Sequence, residues 1–155
     1  MSDAREVFDL NNDPEVVRYT GDPPFESVDH AQEFLKGYSH YEQYNMGRWA
    51  VRSKSDHAFL GWCGLKTHDN GEVDLGFRLH RKYWNQGYAT EAAIGCLRYG
   101  FDRLNIPYII GRAMHENTAS IRVLEKIGMT YWKDVICEAH PAKCYRITKK
   151  ELEAS

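Results

Sequence analysis

The chain has 155 residues, of which 43% are hydrophobic and 27% are charged, and its formal net charge is −2. This length is typical of one globular domain with a sizeable core, so we expect a single domain over residues 1–155. The near-neutral balance, without a dense Lys/Arg run, argues against nucleic acid as a partner. No apolar run approaches the ~18 residues that cross a bilayer, so a membrane is not an expected partner either.

The first third of the chain is predicted to be mainly helical. Helices are expected over 3–12 and 15–19, and a longer one over 28–43, which Ser27 caps. The rest alternates between strand and helix periodicity. In order, its predicted elements are strands over 48–52, 58–66 and 72–79, a helix ending near Leu104, a strand over 107–112, a helix over 117–128, and strands over 129–137 and 142–148.

Cysteine and histidine usage points to neither a disulfide framework nor a metal. The four cysteines are scattered, with no Cys-x-x-Cys pair, which is typical of reduced thiols in a cytoplasmic protein. The histidines show no ligand spacing. We therefore predict no metal site.

The run Tyr83–Ala92 joins the end of a predicted strand to the start of a predicted helix. The first amides of a helix lack intrahelical partners and favour negative charge, so this loop predicts an anion site whose ligand carries phosphate. It lacks the lysine of a Walker A loop and the glycines of a dinucleotide fingerprint. The pattern that fits is x-x-Gly-x-Gly/Ala, here Asn85-Gln86-Gly87-Tyr88-Ala89.

A second motif runs from Asn117 to Met129. Asn117 is placed to cap a short amphipathic helix and Gly128 to end it. Its apolar face carries Ile121, Leu124 and Ile127, whereas Arg122, Glu125 and Lys126 face away from the core.

Together, the two motifs resemble signatures of the GCN5-related N-acetyltransferases (GNAT). The first is similar to their pyrophosphate loop, and the second to their Asn-x-x-Ser/Ala segment. The residue pattern around Trp84-x-x-Gly87, together with the preceding segment Leu75–Leu79, resembles that of the RimJ/RimL-type branch of this family. The resemblance extends from about Asp13 to about Leu152.

The resemblance implies an α+β fold: an α/β/α sandwich whose mixed central sheet splays at the strand that holds acetyl-CoA. The co-substrate is then acetyl-CoA, and the acceptor a primary amine, either a protein N-terminus or a small molecule. A catalytically silent acyl-CoA-binding module is the alternative. GNAT domains usually start with a strand, but only Met1 to Asp3 precede the first predicted helix. An unpaired sheet edge invites pairing with another chain, so we expect a homodimer or an exchanged strand.

The resemblance also places the cofactor. The backbone of Phe77 and Leu79 is expected to hold the pantetheine arm, and Asn117 to contact it or to serve only as a helix cap. Trp84 stands where a polar residue is usual, so the loop amides must carry more of the affinity. The pyrophosphate is expected on the amides of Gln86, Gly87, Tyr88, Ala89 and Thr90.

Proton transfer requires an acid and a base. Leu124 occupies the position where many GNAT enzymes have an acidic Tyr. Ser120 is therefore the candidate acid, unless it is only a small residue packed near the cofactor. Glu72 and Asp74 alternate with apolar residues and so share one strand face. They are the candidate bases, or else members of cross-strand charge pairs.

Weaker base candidates are His115, Glu116 and Glu138. Acceptor recognition is expected from the loop Thr20–Phe25, from the hairpin after Cys137, and from the aromatic residues Tyr38, Tyr41 and Tyr44. The sequence does not choose between acceptors.

Overall fold

The computed structural model describes residues 3–17, 27–37, 46–68, 70–137 and 140–154. The helices are α1 (Asp3–Asn11), α2 (Pro14–Val17), α3 (Val28–Gly37), α4 (Tyr88–Asp102), α5 (Thr118–Lys126) and α6 (Lys149–Ala154). The strands are β1 (Arg48–Arg52), β2 (Phe59–Thr67), β3 (Val73–Leu79), β4 (Tyr108–Met114), β5 (Thr130–Cys137) and β6 (His140–Thr148). The described strands form one sheet in the order β1-β2-β3-β4-β6-β5.

Both faces of this sheet are covered, because successive side chains of a strand point to opposite faces. On one face, Cys63 and Leu75 join the main core with Leu97 of α4 and Leu124 of α5. On the other face, Trp62 packs against a smaller cluster formed with α1 and α2, which includes Leu10. The α+β fold with helices flanking a mixed sheet is confirmed.

The sheet opens between β3 and β4. These two strands are parallel, whereas every other neighbouring pair of described strands is antiparallel. Their pairing runs only from Val73↔Ile109 to Leu75↔Gly111, although β3 continues to Leu79. The strands therefore diverge beyond Gly111, in agreement with the splay that the family resemblance implies.

A glycine is needed at the closed end of this splay. A Cβ at Gly111 would lie 2.7 Å from Cδ2 of Leu124 and 3.2 Å from the sulfur of Met129. The bare backbone lets α5 pack directly on β4, so the helix that carries Ser120 lies beside the opening.

Most predicted boundaries agree with the structure to within two residues, and β1 agrees at both ends. Sequence analysis did not foresee the 3-10 turn Arg81–Tyr83 or the helix α6. The predicted helix over 28–43 is seen as far as Gly37, and its remainder lies outside the described residues. The first described element is a helix, and β1 pairs with β2 alone among the described strands, so it forms one edge of the described sheet.

Candidate active site

A cleft of about 460 Å³ lies where the splay meets the N-termini of α4 and α5. Four segments meet there: the start of α2, the end of β3, the loop that follows β3, and the face of α5. Its lining includes Glu15, Phe77, Arg78, Leu79, Trp84, Gly87, Ala89, Thr90, Glu116, Asn117, Ser120, Arg122 and Lys126. The cleft thus brings together most of the residues that the two motifs predict.

The loop before α4 has the backbone geometry of an anion site. Asn85 and Gly87 adopt positive φ angles of 61° and 84°, and successive amides in such a turn form a concave nest. Gly87 is the N-cap of α4 and supplies no capping side chain. The first intrahelical bond runs from the Glu91 N–H to the Gly87 carbonyl, so the preceding amides of α4 have no carbonyl to meet within the helix. These amides include those of Ala89 and Thr90, as predicted for an anion ligand.

Gln86 and Tyr88, on either side of Gly87, are not among the residues that line the cleft. The Gln86 amide nitrogen donates to the Lys82 carbonyl at 2.6 Å, which turns this side chain back toward the 3-10 turn. The Tyr88 ring packs edge-on against Tyr83, with 5.9 Å between ring centroids. The prediction for both residues concerns their amides, and these side-chain positions leave it open.

Trp84 has a structural role that sequence analysis missed. Its indole N–H donates to the Leu79 carbonyl at 2.9 Å, so the side chain ties the loop to the end of β3. This bond occupies the carbonyl of a residue predicted to pair with the cofactor. A tryptophan five residues after the strand was the available signal, but only the folded turn shows which carbonyl it reaches.

The backbone of Phe77 and Leu79 is nonetheless directed toward the splay. The His80 N–H donates to the Leu60 carbonyl, and bonding to a neighbouring antiparallel strand alternates along the chain. Phe77 and Leu79 therefore alternate with the residues of β3 whose backbone groups bond to β2. Their peptide groups point to the β4 side, where the strands have parted.

The N-terminus of α5 forms the opposite wall of the cleft. The Asn117 side-chain oxygen accepts a hydrogen bond from the Ser120 N–H at 3.3 Å, so its capping role is confirmed. The half-buried Ser120 lines the cleft. Leu124 is only 1% exposed, belongs to the core and does not line the cleft.

Arg122 and Lys126 are site residues that sequence analysis placed only by their distance from the core. They face away from it, and this surface of α5 is also the wall of the cleft. Residues four apart on a helix are neighbours, so the two cations form one positive strip opposite the loop amides. The i,i+4 pair of cations within the second motif is the signal that could have identified this strip.

The two predicted bases lie in different surroundings. Asp74 Oδ2 accepts from Arg112 Nη2 at 2.8 Å and Nε at 3.1 Å, and it is 3.0 Å from His68 Nε2. It pairs in register with Ile110, one residue before the splay opens, on the face opposite α4 and α5. Asp74 does not line the cleft but lies at the closed end of the opening.

Glu72 lies farther from the splay, just before β3 begins. Its carboxylate accepts from the Tyr108 hydroxyl at 2.9 Å and from the Asn70 amide at 2.9 Å. Partial burial raises the pKa of Glu72, but the two hydrogen bonds together with the nearby charges of Lys133 and His68 lower it, so the net pKa is below its usual value. The same bond to Glu72 raises the pKa of the Tyr108 hydroxyl. Glu72 is not among the residues that line the cleft.

Two of the weaker base candidates, Glu116 and His115, also lie in different surroundings from each other. Glu116 lines the cleft beside Asn117, together with Glu15 from α2. His115 instead faces Asp134, with 3.5 Å between Nε2 and Oδ1. The base candidate Glu138 lies outside the described residues. So do the residues expected to recognise the acceptor, namely Thr20–Phe25, Tyr38, Tyr41 and Tyr44.

Metal and membrane features were sought over the same part of the chain. No three His, Cys, Asp or Glu side chains of the described residues converge as a metal cluster. None of the helices described is both long enough and apolar enough to span a bilayer.

Comparison with known proteins identifies the family. Residues 1–130 match the model of the acetyltransferase (GNAT) domain. The chain belongs to the GNAT acetyltransferase family. It is 30% identical over 131 residues to the uncharacterised N-acetyltransferase p20 of Bacillus licheniformis, a match that covers 83% of this chain and 74% of p20.

Two further relatives have a named acceptor. The chain is 25% identical to spermidine N(1)-acetyltransferase of Escherichia coli, over 83% of this chain and 68% of that protein. Its fold matches spermidine N-acetyltransferase from Vibrio cholerae in complex with CoA and spermine, with a TM-score of 0.83 and 18% identity, over 98% of this chain and 93% of that one. The GNAT protein described here is an N-acetyltransferase that uses acetyl-CoA as co-substrate to acetylate an amine.

Proposed function

We propose that this GNAT protein transfers the acetyl group of acetyl-CoA to a small primary amine, by direct attack within a ternary complex. The observation that carries the proposal is the continuity between the splay of β3 and β4 and the anion-binding loop before α4. A thioester held by the loop and the strand edge then has its reacting carbonyl at an opening accessible from the opposite face of the sheet.

The residues of the cleft fit the parts of acetyl-CoA. The amides of residues 86–90 and the positive strip of Arg122 and Lys126 suit its phosphates. The outward N–H and carbonyl of Phe77 suit the amide-containing pantetheine arm, as does the outward N–H of Leu79, whose carbonyl accepts from Trp84. The Asn117 side-chain nitrogen, on the amide whose oxygen caps α5, is free to orient the arm or the acceptor.

The transfer requires one proton to leave the amine and one to reach the thiolate. The neutral amine nitrogen attacks the thioester carbon, so that a C–N bond forms and the C–S bond breaks. In the proposal, Asp74 accepts the proton of the amine, directly or through a water, and the Ser120 hydroxyl donates one to the departing sulfur. Of the two carboxylates predicted as bases, Asp74 is preferred because it lies at the splay.

A polyamine-like amine is the acceptor class that we favour. The relative from E. coli is named for spermidine, and Glu15 and Glu116 line the cleft with carboxylates that attract a cationic chain. The resemblance to the RimJ/RimL-type branch supports a protein N-terminus as the second candidate. A cytoplasmic location, where acetyl-CoA and both acceptors occur together, is part of the proposal.

An acceptor screen tests the proposed reaction. Release of free CoA thiol is followed with spermidine, spermine, aminoglycosides, and peptides beginning with Ala, Ser or Met. We expect the highest kcat/KM with a polyamine. Faster turnover with one peptide reassigns the acceptor, and tight CoA binding without turnover on any amine indicates a catalytically silent module.

We also propose that two copies pair through β1. Among the described strands, β1 bonds to β2 alone, and an edge with free peptide groups favours addition of another strand.

A further inference from the structure

Two cysteines outside the proposed reaction lie close together beneath α4. Cys63 is in the middle of β2 and Cys96 is near the middle of α4, and their sulfur atoms are 3.6 Å apart. Both residues are free thiols, 2% and 8% exposed. They are 33 positions apart in the sequence, so only the packing of α4 on the sheet brings them together.

The pair also lines a second cavity, separate from the acetyl-CoA cleft. This cavity, of about 820 Å³, lies between the β1–β2 hairpin and α4. Trp49, Val51, Tyr88 and Tyr99 form part of its wall. A Cβ built on Gly95, next to Cys96, meets no atom within 4 Å, so the helix backbone beside the thiol faces open space. A small oxidant therefore has a route to two otherwise buried sulfurs.

We propose that Cys63 and Cys96 form a redox-sensitive dithiol, which hydrogen peroxide converts to a disulfide, and that this bond weakens acetyl-CoA binding. The proposal goes beyond the acetyl transfer described above. Its chemical step is independent of the acceptor and of the catalytic residues.

The order of events follows from the surroundings of the two thiols. The contact between the two sulfurs lowers the pKa of Cys96 more than burial raises it, whereas the same contact and burial both raise the pKa of Cys63. Cys96 is therefore the nucleophile, since the thiolate is the reactive form. It attacks one peroxide oxygen, the O–O bond breaks, and the products are a Cys96 sulfenic acid and hydroxide, which becomes water.

The second step closes the bond. The Cys63 sulfur attacks the Cys96 sulfenic sulfur, the S–O bond breaks, and the Cys63 proton leaves with the departing oxygen as a second water. Overall, two thiols are oxidised by two electrons and one peroxide is reduced to two waters. No other reagent is required.

Disulfide formation must move α4. The sulfur atoms are 3.6 Å apart, and a disulfide is ~2.0 Å long, so they must approach by about 1.5 Å. The helix α4 begins at Tyr88, directly after Gly87, so its first turn provides the amides of the anion site. Because a helix moves as a rigid element, a pull at Cys96 shifts those amides relative to α5.

Cys144 provides an internal comparison. It is buried on β6 and its thiol is directed to the opposite face of the sheet from Tyr145, which joins the main core. Burial raises the pKa of Cys144 to about 11. A thiol of this kind reacts slowly with peroxide at neutral pH.

The test treats the reduced full-length protein with hydrogen peroxide. Intact mass, titration of free thiols and a non-reducing peptide map are recorded, and CoA affinity is measured before and after treatment. The single variants Cys63→Ser and Cys96→Ser remove the pair. The double variant Cys137→Ser/Cys144→Ser removes the other two cysteines and keeps the pair. Melting curves of the reduced proteins verify that each variant folds.

We expect the wild-type protein to lose the mass of two hydrogens and two of its four thiols, with a peptide linking Cys63 to Cys96. The double variant should lose the same mass and both of its remaining thiols, with the same linked peptide. The Kd for CoA should rise on the order of tenfold, as expected when one hydrogen bond from the loop amides to a charged phosphate is lost, and a reducing agent should restore it. Oxygen addition to Cys96 without crosslinking, or a crosslink that persists in Cys96→Ser, overturns the disulfide. A Cys63–Cys96 disulfide with unchanged CoA affinity overturns the coupling to the site.

Discussion

Ser120 is the residue on which the proposed donation of a proton to the thiolate depends. Replacing Ser120 with Ala removes the hydroxyl but keeps the N–H that bonds to Asn117, so the cap of α5 is preserved. We expect kcat to fall by at least about tenfold, because general acid–base catalysis typically contributes ~10²–10⁴-fold. The KM for acetyl-CoA should stay close to that of the wild type. Steady-state assays of thiol release measure both values. Unchanged turnover would show that Ser120 is only a small residue of the cleft wall.

Asp74 and Glu72 form a matched pair, because they share a strand face but only Asp74 lies at the splay. We expect Asp74→Asn to lower kcat on the order of a hundredfold and Glu72→Gln to change it little. A similar melting temperature and unchanged turnover in Asp74→Asn would instead reduce its role to pairing with Arg112.

At the scale of the element, we expect the shape of the loop before α4 to depend on the hydrogen bond from Trp84 to the Leu79 carbonyl. Trp84→Phe keeps an aromatic ring and removes the donor. A hydrogen bond contributes about 0.5–1.5 kcal/mol, so we expect the Kd for CoA to rise roughly threefold to tenfold. Isothermal titration calorimetry measures the change, and Trp132→Phe on β5 is the control that should bind CoA like the wild type. Equal affinity in Trp84→Phe would mean that the loop holds its shape through Asn85 and Gly87 alone.

The positive strip of α5 is the other element on which the proposed binding of acetyl-CoA depends. We expect Arg122→Gln and Lys126→Gln each to weaken CoA binding several-fold, and to reduce its salt dependence, because each removes a cation facing the phosphates. Arg98→Gln removes a charge of the same sign from the exposed face of α4, outside the cleft. If Arg98→Gln weakens binding equally, the effect arises from net charge and not from the strip.

The elements also show how far the sequence could be interpreted. Alternation and helical periodicity are local patterns, so the bounds of β1 and the cap at Asn117 could be predicted directly. The bonds of Asp74 to Arg112 join residues 38 positions apart, and the proximity of Cys63 to Cys96 depends on how α4 sits on the sheet. No local pattern carries that information. The hydrogen bond from Trp84 to Leu79 joins residues that are close in sequence, but it depends on a 3-10 turn that the residue pattern of this loop does not indicate.

At the scale of the whole molecule, the proposed pairing of two copies depends on which peptide groups of the edge strand β1 face outward. The Leu65 N–H donates to the Gly47 carbonyl, so by alternation Trp49 and Val51 also bond to β2, whereas Ala50 directs its peptide groups outward. Ala50 is exposed. Proline at this position removes an outward N–H but no bond to β2, and proline is tolerated on edge strands.

We therefore expect the wild-type protein to be a dimer and Ala50→Pro a monomer in light scattering at micromolar concentration. Ala50→Val is the matched control, since valine favours strands and keeps the N–H, and it should remain dimeric. A monomeric wild-type protein contradicts pairing through β1. A dimer that persists in Ala50→Pro means that the copies associate through another surface, because the outward hydrogen bond of β1 is then dispensable.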